Sequence, residues 1–502
     1  MTPHELPAWV RKRDGRLVPF EADKISQALF AATEVLGSPN AFLARELTDG
    51  ILHFLQQEAA SANPTTGQIA DLAVKVTREL GYPDVAAAFE RRRAASGGAG
   101  PKAPHVHQVA FSPESPLPLF LAWATRQYVR KVVYTRDLVA AMQEGLLHGC
   151  LRGRPDTIEA LAVEPAGAET PIEDAILDRM LEVRPCVRRF IVDGPDSWVE
   201  RPHVWLGKLD ILLRAVRKRA ILNLHVATPP LWAEEASAGP LFGAPATRPP
   251  LARRTQAFLD AYAAFASRDR RISLHLHADA ASSRDAATFT NVPPGTIWTF
   301  DRPDRPITLG PGVRRGQPAC LMEIGLGLTT LLRLPAVNNN VDRFLEKLPS
   351  LAGMAISAAV QKRAFLARRL PRDAFLLHGF LLHRARARLT PLGLEETVRL
   401  LVGQLPDESA AARDLARLIV HTLHDSAARQ GRQRNIEPVL TLDWPEQSRA
   451  NAADAVLATA DALARAGAEV TAHLPSAVWS MDRLEMSRKT ALERITFRAV
   501  TL

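Results

Sequence analysis

The stretch VRKRDGRLVPFEADKI, residues 10–25, decides how the first part of this chain folds and what it can bind. Its Asp-Gly dipeptide lies between two short β-prone runs and favours a tight turn, because glycine accepts a positive φ at little steric cost. The pattern therefore predicts strand, turn, strand and then a helix. The N-terminus of such a helix attracts anions, and Lys12, Arg13 and Lys24 supply charge-assisted bonds to phosphate. A solvated basic hairpin is the alternative interpretation of the same spacing.

The same stretch resembles the opening of an ATP-cone, the nucleotide-sensing domain at the N-terminus of many ribonucleotide reductases. The resemblance continues through residue 93, with helices predicted over about 23–36, 41–60 and 66–80. Thr65 or Thr66 caps the third helix. The resemblance implies a site for ATP or dATP. Its contacts would be Val10, Lys12, Arg13, Lys24, Thr66 and a terminal cation, Arg91 or one of its neighbours Arg92 and Arg93.

Composition and charge limit the classes of partner. The chain has 502 residues, enough for two or three domains, and a formal net charge of +9. Such a charge suits a nucleotide or nucleic-acid partner. However, the basic residues are scattered and aromatic residues make up only 6% of the chain, so solvated faces account for most of the charge. We therefore expect adenine nucleotides, and not nucleic acid, as the partner.

Cysteine usage and hydropathy bear on the compartment. Cys150, Cys186 and Cys320 are odd in number and far apart, which fits a reducing cytoplasm without a disulfide framework. We find no apolar run of transmembrane length, and the N-terminus is too polar for a secretory signal. These features predict a cytoplasmic protein without a membrane partner.

A glycine- and proline-rich stretch divides the chain. Residues 94–118 contain ASGGAGP and four further prolines, which predicts a flexible linker. The resulting domains are an ATP-cone over residues 8–93 and a body over residues 119–502. The linker would leave the cone free to move relative to the body.

The body resembles the catalytic domain of anaerobic ribonucleotide reductases. The resemblance is carried by residues 121–130, 135–139, 144–148, 316–320, 326–335 and 389–398. Helices are predicted over residues 121–130 and 137–147, and a long one, kinked or interrupted near Pro349, over residues 341–369. Alternating apolar residues predict strands over 221–226 and 272–277. The fold class expected is α/β: a mixed α+β ATP-cone followed by a glycyl-radical-enzyme-like α/β barrel.

The resemblance also indicates which catalytic residues this sequence keeps and which it lacks. In this family a loop cysteine becomes a thiyl radical, and Cys320 is the candidate for that place; a buried structural cysteine is the alternative. The family's aspartate after His148 is replaced by Gly149, and residues 155–166 lack its reducing cysteine. The family's zinc-binding cysteine pairs and glycyl-radical loop are also missing from this sequence. The pattern predicts a degenerate reductase relative.

Three hypotheses follow for the function. The first is a nucleotide-binding regulatory or structural protein, expected to be a homo-oligomer, whose barrel does not reduce ribonucleotides. The second is an anaerobic reductase subunit whose glycyl radical is supplied by another chain, and the third is a nucleic-acid-binding regulator with an ATP-cone. His225, His275 and His277 lie on alternating strand positions and invite a metal site, but no carboxylate-rich second shell accompanies them, so we expect no metal.

Overall fold

The structure is a computed structural model of the full chain. It describes residues 6–58, 63–95, 117–150, 155–163, 172–193, 202–226, 251–266, 271–279, 296–301, 308–314, 316–370, 374–445, 453–475 and 495–500. Most of the predicted linker, residues 96–116, lies outside the described residues. No helix within the described ranges is long and apolar enough to cross a membrane.

The N-terminal domain is a small hairpin packed on four helices. Strands β1 (Trp9–Arg11) and β2 (Leu17–Pro19) pair antiparallel, with Val10 opposite Val18. Gly15 takes a φ of +83° in the turn between them, as the Asp-Gly dipeptide predicts. The helices are α1 (Asp23–Val35), α2 (Ala41–Glu58), α3 (Thr66–Glu79) and α4 (Pro83–Ala95). The predicted helices are thus confirmed over the described residues.

The body is built on a closed ring of ten strands. The first set runs β4 (Ile158–Val163), β5 (Val187–Asp193), β6 (Arg219–Val226), β7 (Ile272–Asp279) and β8 (Ile297–Asp301). The second runs β11 (Ala319–Gly327), β12 (Arg386–Leu392), β13 (Glu437–Trp444), β14 (Glu469–Pro475) and β15 (Ile495–Val500). Neighbours within each set are parallel. The sets meet antiparallel at β4–β11 and β8–β15, which closes the barrel.

Helices and short strands complete the body. The helices are α5 (Leu117–Tyr128), α6 (Arg136–Gln143), α7 (Ile172–Val183), α8 (Pro202–Val216), α9 (Leu251–Ala266), α10 (Leu328–Leu332), α11 (Val341–Arg369), α12 (Leu381–Arg384), α13 (Leu394–Val402), α14 (Ala410–Arg434) and α15 (Ala453–Arg465). A π-helical turn, Val129–Val133, joins α5 to α6. The short strands are β3 (Leu147–His148), β9 (Thr308–Gly310) and β10 (Val313–Arg314). The α/β fold class is confirmed.

One predicted helix was wrong in extent. The helix expected over residues 137–147 ends at Gln143, because Gly145 turns the chain with a φ of +82° into β3. The long helix α11 has the predicted bounds of residues 341–369, and it continues through Pro349 without interruption. Cys320, the candidate for the family's loop cysteine, lies within strand β11 and not on a loop.

A hairpin fills part of the barrel interior. Strands β9 and β10 carry Leu309 and Val313, which are fully buried against Ile191, Ile221 and Cys320 from the barrel wall. A group of charged side chains lies at the beginning of strands β12, β13 and β14. Arg386 of β12 pairs with Glu437 of β13 at 3.4 Å and with Glu469 of β14 at 3.4 Å. Around Cys320, the described part of the interior is therefore occupied by apolar side chains of the chain itself.

Candidate functional site

The predicted phosphate-binding cations of the N-terminal domain lie on exposed backbone turns. Lys12 and Arg13 occupy the hairpin turn, where the Lys12 N–H donates to the Arg16 carbonyl at 2.9 Å and the side chains are exposed. Asp14 binds Arg16 across the same turn, and these hydrogen bonds lower the pKa of its carboxyl. The turn thus holds its acid in an ion pair and leaves Lys12 and Arg13 facing solvent.

The N-terminus of α3 approaches this hairpin from the side. The Arg11 N–H donates to the Pro64 carbonyl at 3.0 Å, and the next residue, Thr65, caps α3 by accepting from the Gln68 N–H at 3.1 Å. Thr65 rather than Thr66 is therefore the cap. Thr66 is the first helical residue and is exposed, so its hydroxyl faces solvent at the positive end of the helix dipole.

The terminal cations of α4 differ in position. Arg93 forms an ion pair with Asp71 of α3, and its Nη2 lies 3.8 Å from where a β-carbon on Gly67 would be. Arg91 instead points along its own helix, with Nε donating to the Ala87 carbonyl at 3.4 Å. Of the three candidates, Arg93 is placed beside the α3 N-terminus, and Arg91 is not.

Lys24 and its neighbour Asp23 share the first turn of α1 but face different partners. Lys24 Nζ lies 2.8 Å from Glu21 Oε1, and both side chains are more than half exposed. Ala22 precedes the helix without a side-chain cap, and the N–H groups of Lys24 and Ile25 donate to the Glu21 and Ala22 carbonyls at 3.1 and 3.0 Å. Lys24 is available to an anion that displaces Glu21.

Cys320 is enclosed in the barrel interior. Its Sγ donates to the Met322 carbonyl at 3.6 Å, and a β-carbon on Gly312 of the inserted hairpin would lie 3.0 Å from it. Burial raises the pKa of Cys320 to about 12. The sulfur therefore remains a protonated thiol, which is no nucleophile but keeps the hydrogen atom that a radical relay uses.

The histidines of β7 belong to a buried hydrogen-bonded cluster. His275 Nε2 lies 2.6 Å from Thr299 Oγ1, His277 Nε2 lies 3.2 Å from Asn223 Oδ1, and the two rings are 4.1 Å apart. The side chain of His225 lies outside the described residues. Across the described ranges, no group of three His, Cys, Asp or Glu side chains is arranged to hold a metal ion. The visible contacts are those of a polar barrel lining.

The structure also contains a polar pocket in the body that was not predicted from the sequence. It measures about 310 Å³ and is lined by Tyr134, Cys150, Glu159 and Lys362, among others. Burial lowers the pKa of Lys362 to about 8, and burial raises the pKa of Cys150 to about 12. Lys362 occupies the buried stripe of α11, so a cation within an apolar helical face was the signal that could have located it.

The comparison with protein families addresses the N-terminal site. Residues 9–95 match the family described as the ATP cone domain. The N-terminal domain is an ATP cone. The match spans the hairpin, all four helices and every predicted nucleotide contact. The comparison with curated proteins yields no match.

Solved structures bear on the body as well. The chain is similar to the anaerobic ribonucleotide reductase from Thermotoga maritima in complex with dATP and CTP, with a TM-score of 0.55 and 9% identity over 76% of this chain and 81% of that chain. The same reductase with dATP bound in the specificity site gives a TM-score of 0.53 and 9% identity, over 76% and 82% of the two chains. Identity this low shows a shared fold, so the barrel has the fold of the anaerobic reductases.

The cone is docked on the body through a buried polar network. Asp23 of α1 accepts from Arg434 Nη1 at 3.0 Å and from Ser357 Oγ at 2.7 Å. Arg45 of α2 donates to Ser357 Oγ at 3.1 Å and to Gln430 Oε1 at 3.0 Å. Burial alone would raise the pKa of Asp23, but the guanidinium groups of Arg434 and Arg45 lower it. The carboxylate is therefore ionised and paired across the interface.

Gly353 of α11 permits this close approach. A β-carbon there would lie 2.5 Å from Gln430 Oε1 and 2.6 Å from Arg45 Nη2. We predict that Gly353→Leu displaces the cone and increases the radius of gyration in X-ray scattering. Gly207→Leu on α8 is the matched control, because a β-carbon at Gly207 meets no atom within 4 Å. Equal scattering profiles for the two variants would contradict the prediction.

Proposed function

We propose that this protein is a nucleotide-responsive regulator in which the cone binds ATP or dATP and the barrel responds without reducing a ribonucleotide. The observation that carries the proposal is the hydrogen bond from the Arg11 N–H to the Pro64 carbonyl, which joins the hairpin bearing the exposed Lys12 and Arg13 to the segment before α3, in a domain that matches the ATP cone family. The solved neighbours support the ligand class, because one is a complex with dATP and CTP. Homo-oligomers and a cytoplasmic location are part of the proposal.

Features within the barrel support the non-catalytic part. Cys320 is buried between the inserted hairpin and the barrel wall, and it lies within strand β11 instead of standing on a loop. Gly149 replaces the aspartate that the resemblance implies after His148, and strand β4 carries no cysteine. A radical reduction needs a relay thiol that reaches the substrate and a second thiol as reductant. The described barrel offers neither arrangement.

Nucleotide titration of the full chain tests the binding part of the proposal. Calorimetry with ATP and with dATP should give saturable binding to the folded protein. Heat changes no larger than those of buffer dilution, on protein shown to be folded by circular dichroism, would refute it. Sedimentation with and without each nucleotide then tests whether the bound ligand changes the oligomeric state.

A reductase subunit that receives its radical from another chain is the second candidate. It is favoured by the fold shared with anaerobic reductases and by the protonated Cys320 inside the barrel. We expect no deoxyribonucleotide from purified protein, even with a radical-SAM activating enzyme and with formate or thiols as reductant. Deoxyribonucleotide that forms with a partner chain, and no longer forms with the Cys320→Ala variant, would support this second function and contradict the regulatory one.

A further inference from the structure

The cleft between the cone and the body carries more positive charge than the cone alone provides. It measures about 2510 Å³, and its lining includes ten lysines and arginines against six aspartates and glutamates. Lys24 of the cone lies on one wall. Arg130 and Lys131, from the π-helical turn of the body, also line it. A cleft whose two walls come from different domains binds a ligand only when the domains are docked.

Hydrogen bonds connect the first turn of α1 to the segment after the π-helical turn. Gln361 of α11 donates from Nε2 to Asp23 Oδ2 at 3.4 Å and to Thr135 Oγ1 at 3.1 Å. The Thr135 N–H donates back to Gln361 Oε1 at 3.0 Å. The side chain of Gln361 therefore joins Asp23, the residue before Lys24, to Thr135 of the body. The π-helical turn, a distortion often found at functional sites, ends at Val133, two residues before Thr135.

The carboxylates named here that line the cleft form ion pairs, whereas two of its cations form none within the described ranges. Asp23 is bound by Arg434, Glu34 by Arg136 and Asp49 by Arg45. In contrast, Lys131 is exposed and Arg130 is half-buried, and neither forms an ion pair with any residue that the structure describes. Arg130 Nε is moreover buried without a hydrogen-bond partner within the described part of the chain. A buried donor left in this state is costly unless a ligand satisfies it.

We propose that Arg130 and Lys131 are the body's half of the nucleotide site and contact the polyphosphate of an adenine nucleotide held at Lys24. This inference rests on the proposed nucleotide binding by the cone. The ligand's negative charge then bridges Lys24 on one domain and two cations on the other. Because these contacts exist only in the docked arrangement, ATP or dATP binds more tightly to the docked cone and stabilises it.

Calorimetric titration of ATP and dATP into full-length variants tests the inference. Lys131→Ala removes an exposed cation and should raise Kd about tenfold, the effect of losing one charge-assisted contact. Arg343→Ala is the control, because Arg343 is an exposed cation of α11 outside the cleft, and its Kd should equal that of wild type. Gly353→Leu should raise Kd by at least as much as Lys131→Ala wherever scattering shows the cone displaced.

The outcomes separate this inference from the proposed function. Absence of binding to wild type removes both. Binding to wild type with an unchanged Kd in Lys131→Ala overturns the bridging site and leaves the cone's own site standing. If Gly353→Leu remains docked in scattering, the Lys131→Ala titration alone decides. Wild-type scattering that expands on addition of nucleotide would also contradict the inference, since it requires the ligand to favour the docked form.

Discussion

Replacing Lys12 and Arg13 together by alanine should weaken ATP and dATP binding by about 3–6 kcal/mol, since each charge-assisted hydrogen bond to phosphate contributes about 1.5–3 kcal/mol. This corresponds to a rise in Kd of roughly two to four orders of magnitude. Both side chains are exposed on the hairpin turn, so their removal leaves the buried core of the cone intact. Calorimetry on the full chain measures the change.

The control for this variant lies in the same hairpin. Arg11→Ala removes an exposed cation of β1 that is outside the predicted contact set, and we expect less than a threefold change in Kd. Both proteins should show the wild-type thermal transition. A double variant that binds within threefold of wild type would mean that the phosphates lie elsewhere on the cone.

Lys362→Met should remove a pH dependence of barrel stability. Burial lowers the pKa of Lys362 from 10.5 to about 8, so the folded state binds fewer protons than the unfolded state between those values. At neutral pH the buried, charged Lys362 therefore lowers the wild-type free energy of unfolding, and this loss of stability diminishes as the pH rises. Relative to the variant, wild type should gain about 2 kcal/mol between pH 8 and pH 10.

Denaturant unfolding at several pH values measures this difference. Methionine keeps the apolar volume of the lysine stem but loses the hydrogen bond from Nζ to the Pro155 carbonyl, so the comparison uses the slope with pH and not the absolute free energy. Lys208→Met on α8 is the control, because Lys208 is exposed and should retain the wild-type slope. Parallel pH profiles for wild type and Lys362→Met would show that Lys362 is not desolvated in solution.

Local sequence signals predicted the cone better than the barrel. The hairpin turn and the helices beginning at Asp23 and Thr66 depend on neighbouring residues, and the structure confirms them. The helix predicted over residues 137–147 was wrong because apolar spacing continued past Gly145, whose backbone conformation ends it. Cys320 was placed on a loop because the strand pairings that contain it come from residues far apart in the chain.

The contacts between domains could not be predicted for the same reason. Asp23 and Arg434 are more than four hundred positions apart, and each alone is an ordinary charged residue near a helix end. Lys362 carried a weak signal, a cation in the apolar stripe of α11. Nothing in the sequence indicated that Gly353 lies against Arg45, because a glycine within a helix has several possible causes.

The Asp23–Arg45–Arg434 network bears on which groups are exposed to water when the cone separates from the body. A domain held by an apolar face exposes that face whenever it separates, and an exposed apolar face associates with other chains. Here the polar network releases carboxylate, guanidinium, hydroxyl and amide groups, all of which water solvates well. The buried apolar residues of the cone and the body, however, belong to one continuous cluster, so separation of the domains also exposes apolar surface and favours return of the cone to the body.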